Sequence, residues 1–541
     1  MKRIYRFIMV LSALTVLSSC EKFLTTYPYD ALSPATTWKT DADAEKFVVG
    51  CYDDWADRYS YLYWDCTSDF GYSNFDWDAF RCIGNGSMSP SNTGWSLYNF
   101  ATIRKCNTYL ENAVNVQFSS EDVKNNLEAQ VRAIRAYRYF LMNFLYGGVP
   151  IVKNYQTVAE AKVARNSEEE VRKFVYDELD SILTMIAPTP SQRGRIARDA
   201  VQAIKMRAHL YWEDWAGALA AAQELIATGR YSLEPDYARL FTLDGKTSPE
   251  IILQYMTMEK DGTYSYWENG QMYPNADGGW SSMVPTMHLV DNYEMANGKT
   301  REDPDSGYDP SRPFDNRDPR LYATVLYPGV EWQGRIFNTL DEKIDASGNG
   351  DPSGSVNPDY PSSADNASKT ALSWRKWLDP MYEDIWENSC CPILFRYAEV
   401  LLTAAEAENE LNGPTDRAFQ WVNAVRSRVG MPAAGIRDYP DKAAFRTLVR
   451  RERGSEFAGE GLRRFDILRW KDDNGKILAE TLLNETLTCI KGTVKNGVAT
   501  ISDQTEVVEE RVFKSFNRYL PIPQSDIDNN PNLTQNEGYV K

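Results

Sequence analysis

Histidine is nearly absent from this chain, whose 541 residues include only His209 and His288. The sequence also lacks the HExxH pair of zinc peptidases, the GxSxG nucleophile turn of α/β hydrolases and the Walker loop that holds nucleotide phosphates. These absences exclude the enzyme classes that the motifs define. These motifs identify no catalytic residue, and we expect a protein that is not an enzyme.

Metal-binding patterns are missing as well. No CxxC occurs, and the cysteines that follow Cys20 are seven, an odd number that does not allow complete internal pairing: Cys51, Cys66, Cys82, Cys106, Cys390, Cys391 and Cys489. The spacing argues against zinc, and Cys66 and Cys82, both in a predicted loop, are candidates for a disulfide in an exported protein. Asp345–Asp351 resembles the start of a calcium loop, but the twelfth position is Val356 instead of glutamate. We predict no metal ligand.

Basic residues are too few for a nucleic-acid partner. Lys and Arg number 59 against 76 Asp and Glu, which gives a formal net charge of −17 at pH 7. A surface this acidic repels phosphate backbones. Long apolar runs are also missing, because no stretch beyond the N-terminus approaches the eighteen residues of a membrane-spanning helix.

The N-terminus has the pattern of an export signal. Lys2, Arg3 and Arg6 precede an apolar run over 7–17 that is too short to span a bilayer, and the run ends in LSSC at 17–20, which resembles a bacterial lipobox. We predict a signal peptide at 1–19, acylation of Cys20 as the membrane attachment, and a tether at 20–40.

Most of the remaining chain has helical periodicity. Apolar residues recur at steps of three and four in segments that form four consecutive pairs: 41–58 with 95–115, 127–145 with 167–186, 199–212 with 214–228, and 396–412 with 414–429. The third pair contains DWAGALAAAQELI, which is close to the tetratricopeptide pattern. One such pair cannot bury its apolar stripe alone, so the pairs are expected to stack.

The composition changes between the third and fourth pairs. From Tyr231 to about Asn388 the chain is rich in Gly, Pro, Asn, Asp and aromatic residues, which is typical of irregular structure. We predict a helical lobe with three pairs at 41–230, a loop-rich variable lobe at 231–388, and the fourth pair with a C-terminal segment at 389–541.

Five stretches, taken together, resemble one protein family. They are Phe23-Leu24 after Cys20 with Trp38 and Thr40 further on, RAYRYFLMNFLYGGVPIV at 135–152, FRYAEVLLTAAEA at 395–407, GSEFAGEGLRRFDILRW at 454–470, and RYLPIPQSDIDNNPNLTQNEGY at 518–539. They occur in the order found in the SusD/RagB family of nutrient-binding outer-membrane lipoproteins of Bacteroidetes, which the chain resembles over its whole mature length.

The resemblance implies a fold and a role. The fold is mostly α, with four tetratricopeptide-like helix pairs packed against a loop-rich variable lobe. The role is that of an outer-membrane lipoprotein facing the cell exterior, where it covers a TonB-dependent (SusC-like) transporter and delivers captured oligosaccharides to it.

The loop after the first helix is the first candidate binding region. Residues 59–80 contain nine aromatics among twenty-two residues, interleaved with aspartates and an asparagine. Flat apolar rings and planar polar groups are what an oligosaccharide site needs. The candidates here are Trp77, Asn74, Asp76, Arg81, Trp64 and Asp65, and Trp77 is favoured because its neighbours are polar and the family's glycan platform draws on this loop.

A second candidate cluster lies in the variable lobe. Trp267, Tyr273 and Trp280 are embedded in a loop with Asn275 and Asp277, whose glycines and amides favour exposed rings. A third, basic cluster is interpreted as structural, because its arginines alternate with acidic residues at helical spacing. Its arginines are Arg450, Arg451, Arg453, Arg463, Arg464 and Arg469.

Two other functions stay open at this stage. Glycoside hydrolysis needs only two carboxyl groups, and 76 acidic residues supply many pairs, although no pattern singles one out. A secreted glycan hydrolase is therefore one alternative. A tetratricopeptide scaffold for another protein is the other, and it would expose the concave helix surface instead of aromatic loops.

Overall fold

The computed structural model describes residues 38–53, 55–59, 61–154, 157, 160–258, 260 and 265–539. The predicted signal peptide, Cys20 and nearly all of the 20–40 tether lie outside the described residues. Within the described part of the chain, no helix is long and apolar enough to cross a membrane.

The described residues are mostly helical, as predicted. In chain order the helices are α1 Asp41–Cys51, α2 Arg81–Asn85, α3 Ala101–Asn112, α4 Glu121–Tyr146, α5 Glu168–Ile182, α6 Arg198–Tyr211, α7 Trp215–Ala227, α8 Met287–Asn292, α9 Pro319–Thr324, α10 Tyr397–Asn412, α11 Asp416–Arg428, α12 Lys442–Phe457, α13 Arg463–Arg469, α14 Ala479–Leu482 and α15 Gln524–Asn529.

The four predicted helix pairs are present. They are α1 with α3, α4 with α5, α6 with α7, and α10 with α11, and the members of each pair pack against one another. Helix α5 begins with a capping box, since Ser167 and Glu170 bond each other's backbone amides. The first pair is shorter than predicted, because α1 ends at Cys51 and does not extend to residue 58. Asp57 has a left-handed backbone (φ 59°), which a right-handed helix cannot include.

The third and fourth helix pairs pack directly against each other, although the loop-rich region separates them in sequence. Helix α7 packs against α10, which also contacts α11 and α12. Small residues are buried on both helices, among them Ala218 and Ala222 of α7 and Ala404 and Ala405 of α10. Side chains this small let two helix backbones approach closely, which joins chain segments far apart in sequence.

The strands are short and pair two by two. They are β1 Gly71–Ser73, β2 Ile251–Gln254, β3 Met283–Pro285, β4 Val325–Leu326, β5 Glu331–Trp332, β6 Arg335–Ile336, β7 Lys343–Ile344, β8 Ser355–Val356, β9 Ser373–Trp374, β10 Ile393–Arg396, β11 Thr486–Lys495 and β12 Val498–Glu510. All six strand pairs in the described part of the chain are antiparallel. The longest is the hairpin β11–β12, whose turn at Asn496-Gly497 has left-handed backbone at both residues, as a tight hairpin requires.

One continuous buried core runs through the helical pairs and the inserted region. The division of the chain at residues 40, 230 and 388 remains a prediction. The seven cysteines of the described residues are all buried and unpaired, so the suggested Cys66–Cys82 disulfide is absent.

The arginine cluster of the C-terminal segment is structural, as predicted, although most of its partners lie far away in sequence. Arg453 and Arg469 both bond Asp466, and Arg469 also reaches Glu406 on α10. Arg463 bonds Asp69. Arg450 and Arg464 differ from the interpretation, because each donates to a backbone carbonyl, of Lys471 and Thr67 respectively, with no carboxylate partner among the described residues.

Candidate functional site

A cleft of about 920 Å³ lies between the loop that follows β1, the loop that follows β8, and the hairpin β11–β12. Its lining combines aromatic rings with charged and amide side chains: Tyr72, Asn74, Phe75, Asp76, Trp77, Arg81, Trp280, Tyr360, Pro361, Ser362, Asp365, Asn366, Lys369, Cys489, Lys491, Glu506, Val507 and Val508. Five predicted site residues, Asn74, Asp76, Trp77, Arg81 and Trp280, are therefore brought to one place.

The strand pair β1–β3 positions the first wall of the cleft. Gly71 pairs with Pro285 and Ser73 with Met283. Gly71 is required in this strand because a Cβ there would lie 2.6 Å from the carbonyl oxygen of Asp65. The β1–β3 pairing fixes the position at which the chain leaves the core, and residues 74–81, which follow β1, therefore lie at the cleft.

Asn74 holds two walls together. Its Nδ2 donates to the carbonyls of Asp365 (3.3 Å) and Ala367 (3.1 Å), and its Oδ1 accepts from the backbone amide of Lys369 (3.0 Å). Both polar ends of this nearly buried side chain are thus occupied. Asn74 acts as a brace that positions the 365–369 loop.

Trp77 is the exposed ring of the cleft. Its side chain is 67% exposed and stacks on Phe75, with ring centroids 5.0 Å apart and planes 16° apart. The stack holds the indole flat while one face stays open. A flat apolar face beside polar groups is what sugar C–H surfaces bind.

Arg81 provides fixed charge behind this ring. Its Nη1 lies 2.6 Å from Asp76 and its Nε donates to Glu509 of β12 at 2.8 Å. The guanidinium carbon is 5.1 Å from the centre of the Tyr72 ring. Burial raises the pKa of Tyr72 to about 12, so this phenol stays neutral. The arginine joins the first wall to the hairpin.

Trp280 supplies a second ring from the variable lobe. It is 37% exposed, and its ring centroid is 4.7 Å from that of Trp386 at an angle of 57°. Trp386 therefore supports one side of the indole while another side faces the cleft.

Two predicted residues of the first loop, Trp64 and Asp65, are wrong as ligand contacts. Trp64 is only 4% exposed and packs between Phe80 and Phe465, each at 5.6 Å. The buried carboxylate of Asp65 accepts from the backbone amides of Gly461 (3.1 Å) and Arg463 (3.3 Å), and burial raises its pKa to about 6. The C-terminal segment covers both side chains, and that coverage is not visible in the local sequence.

The second predicted cluster is only partly at the cleft. Tyr273 is wrong as a ligand contact, because it is fully buried and its hydroxyl donates to the carbonyl of Asp379 at 3.0 Å. Trp267 is half-buried, lies 5.8 Å from the ring of Tyr59, and does not line the cleft. Asp277 accepts from Trp332 and Arg335. Trp280 alone of the three aromatics reaches the cleft.

Sequence reasoning missed two walls. Tyr360, Asp365, Asn366 and Lys369 come from a stretch that composition marked only as a loop. Lys491, Glu506 and Val507 come from the hairpin, for which the Asn496-Gly497 dipeptide between alternating β-branched residues was an available signal. Within the described residues, no group of three or more His, Cys, Asp or Glu side chains could hold a metal ion.

Two curated proteins with similar sequences are both SusD-type proteins. A SusD-like protein of Formosa agariphila is 27% identical over 486 residues, which are 84% of this chain and 87% of that protein. The starch-binding protein SusD of Bacteroides thetaiotaomicron is 24% identical over 438 residues, which are 76% of this chain and 72% of that protein.

Solved structures share the fold. A SusD-like carbohydrate binding protein of Bacteroides fragilis superposes with a TM-score of 0.78 at 24% identity, covering 92% of this chain and all of that one. A laminarin binding SusD-like protein superposes with a TM-score of 0.68 at 21% identity, covering 93% of this chain and all of that one.

The sequence model of the SusD family matches residues 249–539, more than half of the chain. The chain belongs to the SusD family.

Proposed function

We propose that this protein binds oligosaccharides in the cleft between the β1 loop, the 360–369 loop and the hairpin. The observation that carries the proposal is Trp77, whose indole is 67% exposed in the fold yet held flat by Phe75. Leaving a large aromatic side chain in water forgoes the stabilisation that burial would give, so its exposure here favours a binding role.

The relatives support this proposal. One relative is named for binding starch and one structural neighbour for binding laminarin, so both take glycans. In this chain the cleft supplies what such ligands need, with Trp77 and Trp280 as apolar faces and Asn366, Ser362 and Asp365 as hydrogen-bonding groups.

We further propose that the protein is a lipoprotein of the outer membrane, facing the cell exterior, that delivers its ligand to a TonB-dependent SusC-like transporter. The support for the anchor is the LSSC sequence ending in Cys20 after a short apolar run. The support for the transporter is the family resemblance. Nucleic acid is not a proposed partner, given a formal charge of −17.

Binding without hydrolysis is the proposed activity. Two of the carboxylates in the cleft are already paired with cations, Asp76 with Arg81 and Glu506 with Lys491. The general acid of a glycosidase must carry a proton that it donates to the leaving group, and a carboxylate paired with a cation is not in the apolar setting typical of such an acid. No observation favours the scaffold alternative over the cleft.

The test is a glycan array probed with the mature protein and with Trp77→Ala, followed by calorimetry and product analysis on each glycan that binds. We expect specific binding by the wild type, weaker binding by the variant, and intact glycan after incubation. An array on which both proteins give the same signals would contradict the proposed site, and released shorter sugars would favour the hydrolase.

The membrane role has its own test. Cys20→Ala is expected to leave the membrane fraction, and affinity purification of the wild type in mild detergent is expected to recover a TonB-dependent transporter. Recovery of the protein alone, or retention of the variant in washed outer membranes, would count against these proposals.

A further inference from the structure

The charges that line the cleft are balanced. Asp76, Asp365 and Glu506 face it with Arg81, Lys369 and Lys491. Glu509 stands directly behind Arg81, at 2.8 Å from its Nε. Glu509 is also paired with Arg511 at 3.6 Å, so the immediate surroundings carry four carboxylates and four cations.

Two of the three cations that line the cleft are paired with carboxylates. Arg81 lies between Asp76 (2.6 Å) and Glu509 (2.8 Å). The ammonium of Lys491 is 2.5 Å from Glu506, across the hairpin. An anionic group on a ligand would have to compete with these carboxylates for the same cations, because a second anion weakens an ion pair that is already formed.

Lys369 is the cleft cation without a carboxylate partner among the described residues. Its Nζ donates to the carbonyls of Pro361 (2.7 Å) and Ala364 (3.0 Å), and among the described residues no carboxylate lies within ion-pair distance of it. Burial lowers its pKa, and the nearby charge of Asp365 opposes that shift. The backbone carbonyls thus occupy two of the three ammonium donors, and the negative charge of Asp365 partly offsets the positive charge of Lys369.

The exposed polar groups of the cleft suit hydroxyls better than anions. The side chain of Asp76 is 90% exposed and Asp365 is exposed as well. A carboxylate accepts hydrogen bonds from sugar hydroxyls but repels a sulfate or uronate placed a few ångströms away. The charge of the whole chain, −17, adds to that repulsion at longer range.

We infer that the cleft selects uncharged oligosaccharides and discriminates against sulfated and uronic-acid glycans. The inference rests on the proposed function, since it names the class of glycan that the same cleft takes. Selectivity here comes from unfavourable contacts with the wrong ligand as much as from favourable contacts with the right one.

Matched probes test the inference. The mature protein is titrated with maltohexaose, laminarihexaose, xylohexaose and mannohexaose and with chemically sulfated derivatives of each, and also screened against polygalacturonate, alginate and chondroitin sulfate. We expect binding within the uncharged set and a loss of at least about tenfold on sulfation, which shrinks as salt is added.

Two variants and one control identify the cause. Asp365→Asn removes one repelling charge and is expected to reduce the sulfation penalty several-fold, whereas Asp438→Asn, an exposed carboxylate in the loop between α11 and α12, is expected to leave it unchanged. Lys369→Gln is expected to keep the preference for the uncharged sugar.

The outcomes separate the inference from the proposed function. Equal or tighter binding of the sulfated or uronic-acid probes overturns the inference but is compatible with the proposed glycan binding. If Lys369→Gln then binds the charged probes less well than the wild type does, Lys369 is identified as an anion site. Absence of binding to every glycan, charged or uncharged, rejects the proposed function and the inference with it.

Discussion

Trp64 and Trp77 belong to the same aromatic loop and both stand beside aspartates, yet the fold gives them opposite environments. Trp64 is 4% exposed between Phe80 and Phe465, while Trp77 is 67% exposed and stacks on Phe75, two residues before it. The difference comes from α13, which covers the first half of the loop and leaves the second half at the cleft. Local polarity therefore does not predict exposure when a distant segment provides the cover.

The largest expected effect is on stability, from removing the buried ring. Trp64→Ala leaves a cavity between Phe80 and Phe465 and is expected to lower the free energy of unfolding by about 3–5 kcal/mol. Denaturant titration measures it, with Trp77→Ala as the matched control that should stay close to wild type. If the two variants lose equal stability, the contrast between the two rings is wrong.

Acid should affect the buried charges more than those at the cleft. Burial alone would raise the pKa of Glu406, but Arg469 and Arg453 lower it to about 2. Because this folded-state pKa lies below the ordinary 4.5, the stability that Glu406 provides is complete above about pH 4.5 and is lost as the pH falls toward 2. The expected loss is on the order of 3 kcal/mol.

Denaturant titrations from pH 6 to pH 2.5 measure this loss. Glu406→Gln is expected to be less stable than the wild type at neutral pH, and its stability should fall less steeply over the acid range. Parallel curves for the two proteins would mean that Glu406 does not contribute as described. Asp76→Asn serves as the exposed control, because an ion pair whose carboxylate is 90% exposed contributes little to stability.

The fold was largely predictable from sequence because helix stripes, caps and stop signals are local. The pair α4–α5 and its capping box at Ser167 illustrate this. The site was predictable only in part. Trp77 and Arg81 could be identified, but Trp64, Asp65 and Tyr273 could not be recognised as buried, since the groups that cover them lie in other parts of the chain. Lys369 and Glu506 were missed because pairing across long sequence separations brings them to the cleft.

Ligand affinity should respond to the exposed rings. Trp77→Ala removes a stacking face and is expected to weaken binding of a neutral oligosaccharide by about 1–3 kcal/mol, or roughly ten- to a hundredfold. Its melting temperature should stay within a few degrees of wild type, because the ring contributes little to the core.

Calorimetry on Trp77→Ala, Trp77→Phe and Trp280→Ala grades this effect. Phenylalanine keeps a stacking face and should recover part of the affinity, and Trp280→Ala is expected to have a similar or smaller effect, since Trp280 is less exposed. A destabilised Trp77→Ala with unchanged affinity per folded molecule would remove this residue from the site.

The smallest expected effect belongs to the exposed ion pair. Asp76 lies 2.6 Å from Arg81 but its side chain is 90% exposed, and pairs in such positions typically contribute about 0–1 kcal/mol to stability. Asp76→Asn should therefore unfold at nearly the wild-type denaturant concentration. Arg81 keeps its bond to Glu509, so the wall stays in place, and affinity for a neutral oligosaccharide should fall only a few-fold, as one hydroxyl loses a charged acceptor. A stability loss above about 2 kcal/mol would show instead that Asp76 holds the loop together. The part of the aromatic loop around Trp77 would then contribute to stability as the buried part around Trp64 does.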